Sequence, residues 1–292
     1  MKLAYYPGCT LHTKARNLND CGIEVAARLG FELEEIKDWT CCGAIYNTNT
    51  DDLASQVGPV RNLVRASSHG ERLVTLCAAC YNVLKRAQDN LDAPDNEQTR
   101  QRLLDFIDEP YERRVEVVHY LDVLKNDIGW DVLRAKVTQP LDGLKVASYY
   151  GCLMVRPREV LNFDDPDNPV VMDELAAVLG ATPVDFDFKT ECCGGYLVVN
   201  ERAVTATCTR RILENLRNAG AEVVVTTCPL CQYNLDALQK DIAGTTPGYR
   251  SIPVFYFTQL LGLALGMEEE RLALDYNHTD ARPLLRERGL LQ

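Results

Sequence analysis

The sequence lacks an apolar run long enough to cross a membrane. Its most apolar stretch, residues 254–266, is well short of the ~20 residues that a spanning helix needs. The N-terminal segment MKLAYYPGC also lacks the apolar run of a secretory signal peptide. We therefore expect a cytoplasmic protein without direct membrane insertion.

The chain also lacks an excess of positive charge. It carries 31 lysines and arginines against 42 aspartates and glutamates, which gives a net charge of −11. Nucleic acids and anionic membrane surfaces both attract basic patches. The charge balance therefore argues against both kinds of partner, and we expect no nucleic-acid binding.

Cysteine, in contrast, is abundant, with 12 copies in 292 residues. A hydrophobic fraction of 46% supplies a sizeable core, so the fold does not require disulfide bonds for stability. Structural disulfides are rare in the cytosol, where thiols are kept reduced. Metal binding or redox chemistry is therefore the default interpretation of cysteines at regular spacing.

Ten of the cysteines form an internal repeat of single cysteine, CC pair and CxxC. The first set is Cys9, Cys41, Cys42, Cys77 and Cys80, and the second is Cys152, Cys192, Cys193, Cys228 and Cys231. The CC pair precedes the CxxC by 36 positions in both sets, from 41 to 77 and from 192 to 228. The longer first interval of the second set indicates an insertion around the polar residues 162–169.

The pattern around the cysteines predicts an α/β fold with parallel sheets. We expect two pseudo-symmetric, Rossmann-like domains, residues 1–143 and 144–292, with cofactor-binding loops at the strand ends. Predicted strands are 2–6, 31–39 and 72–76 in the first half, and 145–150, 182–189 and 222–227 in the second. Predicted helices end at Gly30 and Gly180 or span 52–69, 81–91, 201–219 and 232–242. Residues 92–114 are predicted to be a solvated connection or insertion.

Five thiols per half favour a polynuclear iron–sulfur cluster over mononuclear zinc. A structural zinc site is closed by four ligands. The side chains of two adjacent cysteines diverge, so they suit two different metal atoms of one cluster. A CxxC at a helix start also benefits from the free amides and partial positive charge there. Zinc in one half stays open as an alternative.

Other residues near the motifs have supporting or structural interpretations. The glycines that follow the CC pairs are predicted to allow tight turns and close backbone approach to a cofactor, and they are Gly43, Gly194 and Gly195. The tyrosine pairs at 5–6 and 149–150 are predicted core residues that could also cover a cofactor. Cys21 and Cys208 are predicted core residues on helical stripes. His12 is predicted to lie at the surface, with proton donation as the alternative.

The tandem arrangement C…CCG…CxxC resembles the CCG-domain proteins and, more narrowly, the family of the B subunit of heterodisulfide reductase. The resemblance covers the whole chain and leaves no motif position unmatched. It implies two noncubane [4Fe–4S] clusters, one on each set of five cysteines. It also implies that the clusters face each other across a cleft and split a disulfide, with each sulfur captured by an iron of a different cluster.

The resemblance implies partners as well. Electrons would arrive through a ferredoxin-like C subunit from a flavin-containing A subunit, often in an electron-bifurcating complex of anaerobic metabolism. The chain has no C-x2-C-x2-C-x3-C-P run of its own, so the electron source is expected to be a separate chain. Residues 254–266 are a predicted core helix, with docking of that partner as the alternative.

The sequence leaves three functions open. The leading hypothesis is a disulfide-reducing oxidoreductase subunit that acts on the coenzyme M–coenzyme B heterodisulfide or a related bacterial disulfide. The first alternative is a non-catalytic electron-transfer subunit of a larger bacterial complex, of the aromatic acyl-CoA reductase or quinone- and fumarate-linked type. The second alternative is a zinc-stabilised scaffold protein.

Overall fold

The computed structural model describes residues 1–44 and 53–291. It contains two four-stranded sheets, and every strand pair recorded in them is parallel. Their strand orders are equivalent, β2-β1-β3-β4 in the first half and β6-β5-β7-β8 in the second. The predicted α/β class and the duplication are therefore confirmed.

The first half alternates strands and helices. Its elements, in chain order, are β1 Lys2–Tyr5, α1 Arg16–Leu29, β2 Glu32–Glu35, α2 Leu53–Ala66, β3 Arg72–Thr75, α3 Ala78–Asp92, α4 Glu97–Ile107, β4 Glu116–His119, α5 Tyr120–Asp122 and α6 Trp130–Lys136. A 3-10 turn at Pro94–Asn96 and a π-helical turn at Val123–Ile128 complete it. Because all four strands are parallel, their carboxyl ends meet at one edge of the sheet.

The second half repeats this order. Its elements are β5 Lys145–Ser148, α7 Arg158–Leu161, α8 Val171–Val178, β6 Thr182–Pro183, α9 Leu197–Asn200, α10 Arg202–Asn218, β7 Val223–Thr226, α11 Pro229–Ala237, α12 Gln239–Thr245, β8 Val254–Tyr256, α13 Phe257–Ala264 and α14 Arg282–Glu287. Two 3-10 turns, Glu269–Leu272 and Leu274–Tyr276, lie near the C-terminus.

Glycines follow the ends of α1 and α8, as predicted. Gly30 has a φ of 85° and Gly180 a φ of 90°, the left-handed conformation that favours glycine at a helix end. The predicted start of the next helix at Asp52 lies outside the described residues, and α2 is described from Leu53. The helices that carry the CxxC motifs begin earlier than predicted, directly after Cys77 and Cys228.

The strands that lead into the CC pairs are shorter than predicted. The strand predicted over residues 31–39 spans only Glu32–Glu35, and the strand predicted over residues 182–189 spans only Thr182–Pro183. Pro183 has no amide to donate to a neighbouring strand, and the chain turns soon after it. The backbone carbonyl of Lys189 then accepts hydrogen bonds from the amides of Tyr150 and Gly151, which anchors the approach to the second CC pair.

Two predictions about connecting segments need correction. Residues 92–114 are not a simple solvated connection, because they contain α4, whose Leu103 and Ile107 are buried against neighbouring helices. Strands β4 and β8 were not predicted. The segment 254–266 forms β8 and α13, and both are buried. The core interpretation of this segment is therefore confirmed, although its first three residues form a strand. Docking of the electron-donating chain on it is wrong, because the segment is buried.

Helix α13 joins the two halves. It packs against α1 of the first half, and the Thr258 hydroxyl donates to the Leu18 carbonyl at 3.0 Å. Cys21 of α1 is fully buried, as predicted, with its thiol 3.4 Å from the Arg271 carbonyl. The two halves thus share a packed interface. The division at residue 143 stays a prediction.

Cys208 was predicted to lie on a buried stripe of α10 with Val204, Ile212 and Leu216. Ile212 and Leu216 are buried as predicted, but the first two positions are wrong. Cys208 is only partly buried and Val204 is exposed, whereas Thr205 and Thr209 face inward beside Ile212. The helix therefore buries two threonines at its N-terminal end. Within residues 1–44 and 53–291, no helix is long and apolar enough to span a membrane.

Candidate functional site

The first cysteine set gathers at the carboxyl edge of its sheet. Cys9 follows β1, and Cys77 is the N-cap residue of α3 directly after β3. The Cys9 and Cys41 sulfurs lie 3.7 Å apart, and those of Cys42 and Cys80 lie 3.5 Å apart. These separations far exceed the ~2.05 Å of a disulfide bond. The set therefore consists of thiols in contact.

The second set has the same arrangement. Cys228 caps α11 after β7, and Pro229 occupies the first helical turn, where its missing amide costs little. The Cys193 and Cys231 sulfurs lie 3.6 Å apart, matching the Cys42–Cys80 contact of the first half. The structure thus places both predicted sets at equivalent sheet edges.

Contacts between thiols divide each set into groups that ionise easily and groups that do not. A hydrogen bond from Cys152 lowers the pKa of Cys192 to about 6. Hydrogen bonds from Cys41 and Cys80 lower the pKa of the buried Cys42 well below its usual value. The pKa of Cys228 is lowered by Cys231 and by backbone amides at the helix start. Hydrogen bonds to neighbouring thiols, together with burial, raise the pKa of Cys41, Cys80, Cys152 and Cys231. The opposed shifts show how closely the thiols are packed.

The glycines beside the CC pairs adopt conformations that other residues rarely reach. Gly43, Gly194 and Gly195 have φ values of 80°, 93° and 54°. The Gly43 amide donates to the Cys41 sulfur at 3.4 Å. The Gly195 carbonyl accepts from the Asn234 side chain at 2.9 Å.

Sequence reasoning missed three residues that shape the sets. A Cβ on Gly8 would lie 2.8 Å from the Cys80 sulfur, and one on Gly151 would lie 3.0 Å from the Cys231 sulfur. The repeated Gly-Cys dipeptide was the available signal for both. Asn234 is fully buried and donates to the Cys193 sulfur at 3.4 Å. It has no counterpart at the same offset in the first half, so repetition did not reveal it.

One tyrosine of each pair supports the loop that carries the CC motif. The Tyr6 hydroxyl donates to the Thr40 carbonyl at 2.8 Å, and the Tyr149 hydroxyl donates to the Glu191 carbonyl at 2.6 Å. Both acceptors directly precede a CC pair. The two hydroxyls therefore hold equivalent loops in equivalent places, beyond the core role that the sequence predicted.

Replacing Tyr149 by phenylalanine should remove the hydrogen bond to the loop before the second CC pair and keep the aromatic ring packed in the core. Loss of one buried hydrogen bond costs about 1 kcal/mol, and the Glu191 carbonyl would lose its partner. We expect a lower melting temperature of the protein and faster loss of bound metal on exposure to a chelator. Tyr150→Phe is the matched control, because the Tyr150 hydroxyl accepts from the Met172 amide instead. Equal metal loss from both variants would contradict the assigned role.

His12 lies at the surface, as predicted. Its side chain is 46% exposed, and its Nε2 is 3.2 Å from a Glu35 carboxylate oxygen. The imidazole also lies against the Trp39 ring. These contacts account for His12 without a role in proton donation.

The two CxxC motifs meet at the interface between the halves. The Ala78 amide, inside the first CxxC, donates to the carbonyl of Thr227, directly before the second CxxC. Burial raises the pKa of the Tyr196 phenol, and negative charge on Cys228 and Cys77 raises it further. Tyr196 therefore lies near thiols of both halves.

A cavity of about 440 Å³ opens beside the second set. All five cysteines of that set line it, together with Tyr150, Leu153, Tyr196, Leu197, Asn200 and Leu230. The five thiols lie on the cavity wall. The cavity is therefore the space that a metal centre held by the second set would occupy.

The residues of each set fit a metal centre larger than one ion. Five soft sulfur donors surround a space that Gly8 or Gly151 keeps open. In the described residues, no group of three or more His, Cys, Asp or Glu side chains is placed to hold a single metal ion. A structural zinc site is closed by four ligands, whereas each set offers five thiols. The number of donors therefore favours a polynuclear centre.

The fold and the paired thiol sets define a tandem cysteine-rich α/β protein. A family model described as a cysteine-rich domain, CCG, matches residues 3–85 and again residues 146–236. The chain belongs to this CCG-domain family. The resemblance found in the sequence is therefore confirmed.

Curated relatives match nearly the whole chain. It is 35% identical to the 8-methylmenaquinol:fumarate reductase membrane anchor subunit of Wolinella succinogenes, over 97% of this chain and 99% of that protein. It is 30% identical to the B subunit of a ferredoxin/F420H2-dependent CoB-CoM heterodisulfide reductase of Methanosarcina acetivorans. That match covers 94% of this chain and 93% of that protein. These relatives are subunits of multi-subunit reductases.

One solved structure is similar in fold. It is the crystal structure of a hypothetical protein from Helicobacter pylori, with a TM-score of 0.75 and 14% sequence identity. The match covers 95% of this chain and 51% of that protein. At this identity the likeness shows the fold alone, and it places the duplicated α/β architecture in a protein about twice as long.

Proposed function

We propose that the chain is an iron–sulfur redox subunit of a multi-subunit reductase. Each set of five cysteines holds one [4Fe–4S] cluster of the noncubane type, and Gly43, Gly194 and Gly195 let the backbone approach it. The observation that carries this proposal is the duplication of one thiol arrangement at two equivalent sheet edges. The similarity to the B subunit of heterodisulfide reductase supports it.

The reaction we propose is reduction of a small-molecule disulfide. When bound, the clusters supply electrons one at a time, and a disulfide takes up two electrons and two protons to give two thiols. The chain contributes the arrangement of the site. The Ala78 to Thr227 hydrogen bond holds the two CxxC loops together, and Tyr196 lies beside the second set. Leu153 and Leu230 cover the second set with apolar surface.

The relatives also guide the choice of substrate and partners. We propose the coenzyme M–coenzyme B heterodisulfide or a related bacterial disulfide as the substrate class. Electrons reach the chain from a ferredoxin-like C subunit and a flavin-containing A subunit, in a cytoplasmic and electron-bifurcating complex. The relatives named as heterodisulfide reductase subunits support this assignment.

A second function is favoured by a different observation. The relative at 35% identity belongs to a fumarate reductase, and it matches 97% of this chain. The alternative is therefore a non-catalytic electron-transfer subunit in a quinone- or fumarate-linked complex. In that role the two sets pass electrons to another subunit and leave the bonds of a disulfide intact.

The test begins with anaerobic purification and measurement of iron, acid-labile sulfide and zinc per chain. Two clusters predict about eight irons with matching sulfide. About four irons and one zinc would mean that only one half is redox-active, and the two-cluster mechanism would be wrong. A colourless protein that contains zinc alone would support the scaffold alternative.

The electron paramagnetic resonance spectrum then separates catalysis from electron relay. A disulfide substrate should change the spectrum of the oxidised protein, because its sulfurs bind at the clusters. The dithionite-reduced protein should also release two thiols per disulfide. An unchanged spectrum without thiol release, in a protein with about eight irons, would contradict the catalytic proposal and support the electron-transfer function.

A further inference from the structure

The helix that carries the first CxxC is hydrogen-bonded to the second half of the chain. Asn82 of α3 is buried, and its side-chain amide donates to the Leu153 carbonyl at 2.9 Å and to the Arg156 carbonyl at 2.7 Å. Both carbonyls belong to the turn that carries Cys152 and its neighbours. One side chain of the first half therefore holds this turn of the second half at two points.

The turn passes these contacts on to the second cysteine set. Leu153 directly follows Cys152, and the Arg156 amide donates to the Cys152 carbonyl at 3.2 Å. The Arg156 guanidinium also donates to the carbonyl of Thr190 at 3.1 Å, and Thr190 lies two positions before Cys192. Through Arg156, the hydrogen bonds of Asn82 therefore reach both the single cysteine and the CC loop of the second set.

The neighbour of Asn82 extends the contact between the halves. Tyr81 is buried, and its hydroxyl donates to the Leu161 carbonyl at 3.1 Å. Its ring packs edge-on against Phe163, with the ring centroids 6.2 Å apart. Two consecutive residues after the first CxxC thus support residues 153–163 of the second half.

The duplication does not repeat this contact in the opposite direction. By its distance from the CxxC, Tyr233 of α11 is the equivalent of Asn82. Tyr233 is 38% exposed, and its ring packs against His278 of its own half. The turn after Cys9 is closed locally, where the Thr13 hydroxyl donates to the Cys9 carbonyl at 3.1 Å. The support by Asn82 therefore runs from the first half to the second.

Residues behind the ligands decide how firmly a metal centre is held. They orient the ligands, and their replacement typically lowers metal affinity ~10–100-fold. Without the Asn82 amide, the Leu153 and Arg156 carbonyls would each lose a buried donor. The turn would gain freedom, and the position of Cys152 would no longer be fixed.

We propose that Asn82 is a positioning residue of the second cysteine set, although it lies two positions after Cys80 of the first set. The second metal centre then depends on the packing of the first half, and it reaches its final form only after the two halves have joined. The inference rests on the proposed binding of one cluster by each set.

Two buried asparagines of the first half form a matched pair for the test. Asn62 of α2 accepts from the Thr40 amide at 2.8 Å and donates to the Thr40 carbonyl at 2.9 Å, directly before the first CC pair. Leucine has nearly the shape of asparagine and makes none of these hydrogen bonds. Asn82→Leu should accelerate loss of the second cluster to a chelator by at least ~tenfold, and Asn62→Leu should do the same to the first cluster.

Cysteine variants identify which cluster is lost. Each leucine substitution is combined with Cys42→Ser, which leaves the second cluster, and with Cys193→Ser, which leaves the first. Iron release and the electron paramagnetic resonance spectrum of the dithionite-reduced protein then report on one cluster at a time. Asn82→Leu should change both measurements in the Cys42→Ser protein and neither in the Cys193→Ser protein. Faster loss of the first cluster, or equal loss of both, would overturn the proposal.

Hydrogen exchange of the metal-free, full-length protein separates this inference from the proposed function. Amides of residues 153–161 should exchange at least ~tenfold faster in Asn82→Leu and in the smaller Asn82→Ala, and at an unchanged rate in Asn62→Leu. Unchanged exchange in both Asn82 variants would contradict the positioning role, whatever the iron content. Faster exchange in a protein that binds no iron even without substitutions would contradict the cluster proposal and preserve the role of Asn82 in holding the turn of Cys152.

Discussion

Replacing Cys193 by serine is expected to remove about half of the iron and sulfide bound by the chain, from about eight irons to about four. Cys193 is buried, and its sulfur contacts that of Cys231 at 3.6 Å and accepts from Asn234. A serine oxygen is a poorer ligand for iron than a thiolate. The second cluster should therefore be lost or converted to a smaller species.

The same substitution should lower disulfide reduction by at least ~100-fold. Two electrons are needed for each disulfide, and one remaining cluster supplies one electron at a time. Iron and sulfide analysis, electron paramagnetic resonance and a thiol-release assay measure the two effects separately. Cys42→Ser should give the mirror result in the first half, because Cys42 and Cys80 form the equivalent contact.

Cys208→Ser is the control for these cysteine variants. Cys208 is partly buried on α10 and belongs to neither thiol set. The Cys208→Ser protein should keep all of the iron and nearly all of the disulfide-reducing activity. If Cys193→Ser kept all of its iron, Cys193 would not be a ligand and the five-thiol assignment would be wrong.

The sequence allowed the thiol sets to be predicted because each set repeats on a fixed local frame. A strand end and a helix start position the CxxC in both halves, and these are local features of about ten residues. The single cysteine and the CC pair follow strands of the same sheet edge. Parallel strand order then brings all three loops together without further information.

Features that depend on distant residues were not predictable in the same way. Strand β8 and helix α13 lie far along the chain from α1, yet the Thr258 hydroxyl bonds to the Leu18 carbonyl. Helical and strand periodicity do not show which element packs on which. The short strand β6 was overestimated because alternating apolar and acidic residues, as in VDFDF, look the same in the sequence whether or not they pair with a neighbouring strand.

The cavity illustrates a second limit. Its lining residues come from loops after three different strands. The lining lacks charged side chains as a whole, and no single motif in the sequence shows this. In the sequence, Tyr196 is an ordinary aromatic residue after CCGG. Its significance arises only when Cys228 of one half and Cys77 of the other approach it.

Replacing Gly8 by alanine is expected to disable the first cysteine set while leaving the second intact. Gly8 has a φ of 74°, which costs an alanine ~1–2 kcal/mol. Its Cβ would also lie 2.8 Å from the Cys80 sulfur, inside van der Waals contact. Because the Cys80 sulfur is packed against Cys42, the thiol has to move out of its ligating position. We expect loss of about four irons per chain and a lower melting temperature.

Gly220→Ala separates strain in the backbone from the clash with the thiol. Gly220 has a comparable φ of 89°, but an added Cβ there meets no atom of the described residues within 4 Å. It should lower stability by the same ~1–2 kcal/mol and keep all of the iron. Thermal denaturation and iron analysis of both variants measure the two effects. If both lost iron equally, backbone strain alone would explain the loss, and Gly8 would not be needed to leave space beside Cys80.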